Sequence, residues 1–150
     1  MSASAVATLP PWPVSVELPV LWGHMDALGH VNNTVYLRFF EEARIVLFDR
    51  VDLRAVRRET RIGPILASTS VRFLRPLLHP DTVVIETGVR SVGQTSFVLA
   101  YQITSRRSGV VAASGDSAVV MYDYARGEKV PVEDELRARL LSMPAPDGGR

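Results

Sequence analysis

The chain has 150 residues, a length that builds one domain around one core, and 47% of them are hydrophobic, which excludes wholesale disorder. Its formal net charge of +1 lacks the basic excess of nucleic-acid binders. The absence of cysteine excludes disulfides, thiolate metal sites and cysteine nucleophiles. All but one of the basic residues are arginine, Lys129 being the exception.

Residues 1–13 are small residues followed by Pro10, Pro11 and Pro13, and read as a flexible N-terminal tail. That stretch has neither the basic region nor the apolar run of a signal peptide, and no stretch of the chain is apolar over 18 residues. The expectation is a cytoplasmic protein with no membrane and no nucleic-acid partner. Residues 14–21 alternate as a short strand, with Pro19 marking an edge or a bulge. The run W-G-H-M-D-A-L-G-H-V-N-N that follows is a loop, and Asn32, Asn33 or Thr34 can cap the next element.

From Val35 to Arg50 the polar positions 38, 41, 42 and 49 fall on one stripe, leaving a wide apolar arc. Such an arc requires cover on more than one side, so this is the central helix, with Arg38 and Glu42 spaced to pair. Residues 51–64 read as a short helical or loop connector carrying Arg54, Arg57, Arg58 and Arg61.

Strands are expected over 64–78, 82–92, 96–104 and 110–122, joined by turns at His79-Pro80-Asp81, Gly93-Gln94 and Ser108-Gly109. Phe97, Leu99, Tyr101 and Ile103 share one face. These four strands are expected as an antiparallel meander, with residues 82–92 and their neighbours leaving open sheet edges. Pro131 opens a last short helix, in which Glu133–Arg137 and Glu135–Arg139 are spaced to pair. Residues 145–150 read as a frayed end, so one α+β domain spans 14–144.

The chemically loaded stretch is Trp22 to Tyr36. A loop rich in His, Asp and Asn delivers its last residues to a helix N-terminus, where free N–H groups stabilise an oxygen that becomes negative. A carboxylate on that loop, Asp26, can attack a carbonyl or activate water. Asp, Asn and Gly are also ordinary turn residues, and Asp26 as a loop cap stays open at this point. Three histidines without a metal-binding spacing make no metal site, and no G-x-S-x-G elbow supports serine-hydrolase chemistry.

The segment W-G-H-M-D-A-L-G-H-V-N-N-T-V-Y-L-R-F-F-E-E-A-R resembles the signature of hotdog-fold acyl-CoA thioesterases of the 4-hydroxybenzoyl-CoA thioesterase type, and V-R-F-L-R-P-L-L-H-P-D resembles their second-strand segment. The resemblance spans roughly residues 14–124. It implies a hotdog fold, a long central helix wrapped by a curved antiparallel sheet. It also implies hydrolysis of an acyl-CoA to a carboxylic acid and free CoA, with no cofactor beyond the CoA of the substrate. Asp26 matches the catalytic carboxylate, Asn33 the amide that polarises the thioester carbonyl, and Gly29 the tight turn before it. His24, His30, Asn32 and Tyr36 match residues that shape the substrate pocket. Relatives often carry aspartate where this chain has His24, so a second nearby carboxylate is missing here. Thr95 and Ser96 are expected to line the site from a neighbouring subunit, and Arg72, Arg106 and Arg107 to meet CoA phosphates, with Arg75 and the Arg54, Arg57, Arg58 and Arg61 cluster as further candidates. The implied assembly is a homodimer or a dimer of dimers. An acyl carrier protein thioesterase and a non-catalytic acyl-CoA-binding hotdog protein are the alternatives.

Overall fold

An 18-residue helix, α1 (Asn33–Arg50), is the element around which the others are arranged. Its buried residues Tyr36, Phe39, Phe40, Ala43 and Leu47 recur at spacings of three and four, so a broad face is covered. Asn32 caps it: the side-chain Oδ1 accepts from the Thr34 N–H at 2.9 Å and from the Thr34 hydroxyl at 2.8 Å. That cap draws two residues more into the helix than the apolar pattern alone indicates. The chain is described here from a computed structural model that covers residues 11–146, apart from the side chains of residues 54–57. The first ten residues of the expected tail, residues 147–150 and the Arg54 and Arg57 side chains lie outside the described residues.

A curled antiparallel sheet covers the helix. Its strands are β1 (Val14–Val20), β2 (Ile62–Phe73), β3 (Asp81–Val92), β4 (Ser96–Ser105) and β5 (Val111–Asp123), in spatial order β1-β3-β4-β5-β2. A two-residue strand, β6 (Glu128–Lys129), pairs with the end of β5. Irregularities at Leu66/Ser68, Val89/Ser91 and Ile103/Thr104 break the register and let the long strands bend around the helix. The helix and sheet meet through aromatic rings. Phe40 stacks on Tyr101 of β4 with centroids 4.3 Å apart, and Phe48 meets Phe97 edge to face. Gly115 of β5 permits the close approach, since a Cβ there would lie 2.8 Å from Phe40 and 2.1 Å from the Ser70 carbonyl.

Two expectations are corrected. Only β3, β4 and β5 form a meander; β2 pairs with β5 rather than with β3. Residues 74–80 make this possible, because they are a crossing segment rather than a hairpin turn. The Leu74 and Arg75 N–H groups both donate to the Ala112 carbonyl, and Leu77 is buried. Residues 81–92 are consequently interior, flanked by β1 and β4, and the open edges are β1 and β2.

The connector is a helix, α2 (Leu53–Thr60), and the last helix, α3 (Asp134–Leu141), packs near β3. Glu135–Arg139 forms as its spacing indicates, at 2.8 Å, whereas Arg137 donates instead to the Val92 and Gly93 carbonyls. Arg38 meets Glu41, not Glu42. Beyond α3 the chain is pinned: Ala145 N–H donates to the Val89 carbonyl at 2.8 Å.

Candidate active site

The loop between β1 and α1 is a miniature hairpin. After a single 3-10 turn at Trp22–His24, Asn32 N–H donates to the His24 carbonyl at 2.9 Å and Asp26 N–H donates to the His30 carbonyl at 2.8 Å. Met25 and Val31 pair between these two bonds. The tip, Asp26 to Gly29, is a turn closed by Gly29 N–H to the Asp26 carbonyl at 3.1 Å. Gly29 has φ of +80°, so the turn selects glycine by backbone conformation; a side chain there would meet nothing within 4 Å. Val31 N–H donates to the Leu77 carbonyl at 2.9 Å, fixing the hairpin to the crossing segment.

This hairpin brings Asp26 and the start of α1 to one cavity of about 370 Å³, lined by Asp26, Asn33 and Tyr36 with Phe73, Leu74 and Arg75. His30, Val31 and Pro76 complete its wall. One carboxylate oxygen of Asp26, Oδ1, accepts from the Leu28 N–H at 2.9 Å and, at 3.5 Å, from the His30 N–H. Among the described residues nothing donates to Oδ2. One oxygen therefore caps the turn, as the loop-cap reading expects, and the other has no protein donor among the described residues. Asn33 is the first residue of α1, so its N–H has no partner within the helix. Tyr36 lies one turn further in, buried, with its ring edge-on to Phe73 at 5.0 Å. Burial pushes its phenol above the usual range, opposed by a hydrogen bond from the Leu77 backbone, so the hydroxyl stays neutral.

The other residues singled out in the sequence distribute unevenly. His30 lines the cavity, while Asn32 is committed to capping the helix. His24 is absent from the lining; its ring packs on Phe39. Arg72 follows the strand alternation onto the sheet face opposite Phe73, away from the helix. Arg106 is engaged with Glu17, and Arg106 and Arg107 both line a separate cavity of about 480 Å³ with Pro80, Asp81 and Thr82. Thr95 and Ser96 precede Phe97, which packs on Phe48. That places them about 22 Å along the helix from Asn33, so one chain does not bring them to Asp26. Phe73, Leu74 and Pro76 were not singled out as site residues, although V-R-F-L-R-P carried the signal. Arg75 makes no ion pair among the described residues and sits at the cavity. No three His, Cys, Asp or Glu side chains converge on a common point among the described residues.

A sequence model of the thioesterase-like superfamily matches residues 20–140. The chain belongs to that superfamily. It is a thioester hydrolase on the hotdog fold, as the loop motif implied. Over 130 residues it is 27% identical to the long-chain acyl-CoA thioesterase FadM of Escherichia coli, covering 87% of this chain and 98% of that protein. A Thermus thermophilus thioesterase crystallised with coenzyme A and zinc is 30% identical, with a TM-score of 0.77 over 88% of this chain and 94% of its own. The PA2801 protein of Pseudomonas aeruginosa is 32% identical, with a TM-score of 0.74 over 87% and 98% of the two chains.

Proposed function

We propose that this thioesterase hydrolyses acyl-CoA thioesters, with Asp26 supplying the attacking or water-activating carboxylate and the Asn33 N–H holding the oxyanion. The observation that carries the reading is that both line one cavity, with Asp26 Oδ2 and the Asn33 N–H lacking partners among the described residues. The thioester carbonyl oxygen, placed on the Asn33 amide, gains negative charge as the carbon is attacked, and the positive end of α1 stabilises it. Collapse expels the CoA thiolate, which takes up the proton released from water; the other product is a carboxylic acid. The coenzyme is part of the substrate, and water is the second reactant. The acyl-CoA preference is supported by the name of the Escherichia coli relative and by the coenzyme A bound to the Thermus protein.

The phosphates of CoA are assigned first to Arg75, which lines the cavity and has no carboxylate partner among the described residues, its guanidinium donating only to the Leu74 carbonyl, and next to Arg107. Arg106 is already neutralised by Glu17, and Arg72 faces the other side of the sheet. A homodimer joined through β2 completes the proposal. Of the two open edges, β1 is seven residues long and blunted by Pro19, whereas β2 runs for 12 residues and exposes Ile65, Leu66 and Phe73. A groove of about 280 Å³ between α1 and that edge, lined by Leu37, Phe40 and Leu66, would be closed by a second copy. Light scattering should give twice 16.5 kDa or a multiple, and Leu66→Lys should shift the protein toward monomer. A monomeric wild type that retains full activity would sink this assembly.

The deciding experiment is Asp26→Asn. The amide keeps the oxygen that accepts from Leu28 N–H, so the melting temperature should hold, while kcat falls by at least about 10²-fold. Affinity for a non-hydrolysable acyl-CoA should change little, because the interaction removed is made in the transition state. A variant hydrolysing at near the wild-type rate removes Asp26 from the mechanism. Unchanged turnover of acyl-CoA beside faster turnover of an acyl carrier protein would favour the carrier as substrate.

A further inference from the structure

We propose that His24 is a positioning residue: its ring sets the spacing between the Asp26 carboxylate and the Asn33 amide without itself touching substrate. The proposal rests on the thioesterase reading of that loop and deepens it. Three bonds meet at this one residue. His24 Nδ1 accepts from the Leu21 N–H at 3.0 Å, and the His24 N–H donates back to the Leu21 carbonyl at 3.0 Å. The His24 carbonyl accepts from the N–H of Asn32, the residue that caps α1. The ring also stands edge-on to Phe39, buried on the underside of α1, with centroids 5.6 Å apart at 84°. His24 thus ties the exit of β1, the neck of the hairpin and the first turn of the helix to one another.

The neck matters because of what hangs from it. Asp26 lies two residues beyond His24 on one arm, and Asn33 directly follows the bonded Asn32 on the other. A tilt at His24 changes the distance between nucleophile and oxyanion donor, and a 1 Å misplacement costs about 10²-fold in rate. The imidazole is already committed: a ring accepting at Nδ1 carries its proton on Nε2 when neutral, and His24 is not among the residues lining the Asp26 cavity. An aspartate at this position would have an oxygen able to accept from the same Leu21 N–H. The histidine makes that bond without placing a second negative charge beside Asp26.

The test uses side-chain geometry. Asparagine puts an oxygen where Nδ1 stands, and glutamine puts its amide where Nε2 stands. With dodecanoyl-CoA as the probe, His24→Ala and His24→Gln should lower kcat by about 10-fold or more with KM within about twofold, and His24→Asn should recover to within about threefold of wild type. Rescue by glutamine and not asparagine would show Nε2 reaching substrate and overturn the proposal. So would a raised KM with kcat intact, or an alanine variant at the wild-type rate. Should alanine fail to fold, the asparagine–glutamine pair decides alone. Exchange of the Leu21 amide with solvent reads the clamp independently of turnover. It should quicken about 10-fold or more in the alanine and glutamine variants and stay slow with asparagine. Equal exchange in all four proteins overturns the clamp. A wild type that turns over no acyl-CoA while this exchange pattern holds refutes the acyl-CoA reading and not the clamp.

Discussion

The two ends of α1 differ in kind. At its C-terminal end Leu47, Val51 and Leu53 are at most 1% exposed, Phe48 meets Phe97, and α2 begins directly. At its N-terminal end the helix opens on the Asp26 cavity, Asn33 is exposed, and Leu28 at the hairpin tip is 84% exposed. The packed end supplies rigidity, and the open end presents the Asn33 N–H, which has no partner within the helix. A helix anchored at one end can hold an orphan amide still at the other, which is the preorganisation an oxyanion site requires.

That contrast is open to test. Leu47→Ala empties a fully buried position and should cost about 2–5 kcal/mol in urea unfolding while leaving kcat of the folded protein near wild type. Asp26→Asn is its mirror image, a rate loss without a stability loss. If Leu47→Ala lowered kcat as strongly as it lowered stability, the two ends would not be separable. At the mouth of the open end, Arg75→Glu should raise KM for acyl-CoA by about 10-fold and leave the KM for the matching acyl-pantetheine unchanged. Identical KM values for the two substrates in the wild type would remove phosphate recognition altogether.

The smallest effect is expected on the sheet, away from both ends. Burial raises the Glu86 carboxyl above its ordinary value of 4.5, opposed by a hydrogen bond from Gln102. The folded state therefore favours the protonated acid. The resulting stabilisation is full below the unfolded pKa and is lost as pH rises through the folded one. Glu86→Gln should then raise stability at neutral pH by less than about 1 kcal/mol after solvent screening, with no gain near pH 3. A variant equally stabilised at both pH values would point to packing instead of titration.

Local chemistry was legible in the sequence wherever neighbours along the chain decide it. The central helix, a cap among Asn32, Asn33 and Thr34 from which the structure selects Asn32, and the turn-rich Asp26 loop all depend on contacts within a few residues. The long strands were legible too, since alternation marks which residues share a face, and Phe97, Leu99, Tyr101 and Ile103 are all buried. Arg44 was not: a polar residue in the covered face of the helix, it is buried and donates to the Tyr101 hydroxyl, a partner 57 positions away.

Alternation names faces and not neighbours, and so strand order lay beyond it. Only the folded chain places β2 beside β5, turns Arg72 to the far face, and sets Thr95 and Ser96 at the opposite end of α1 from the Asp26 of the same chain. The same holds for charge. Sixteen of the 17 basic residues are arginines of equal standing in the sequence, yet Glu17 lies against Arg106 and no carboxylate pairs with Arg75 among the described residues. Hydrogen bonds between residues close in sequence set the motif and the type of chemistry. Which side chains share its cavity was decided by packing between strands far apart in sequence, because burial is a property of the assembled sheet and helix.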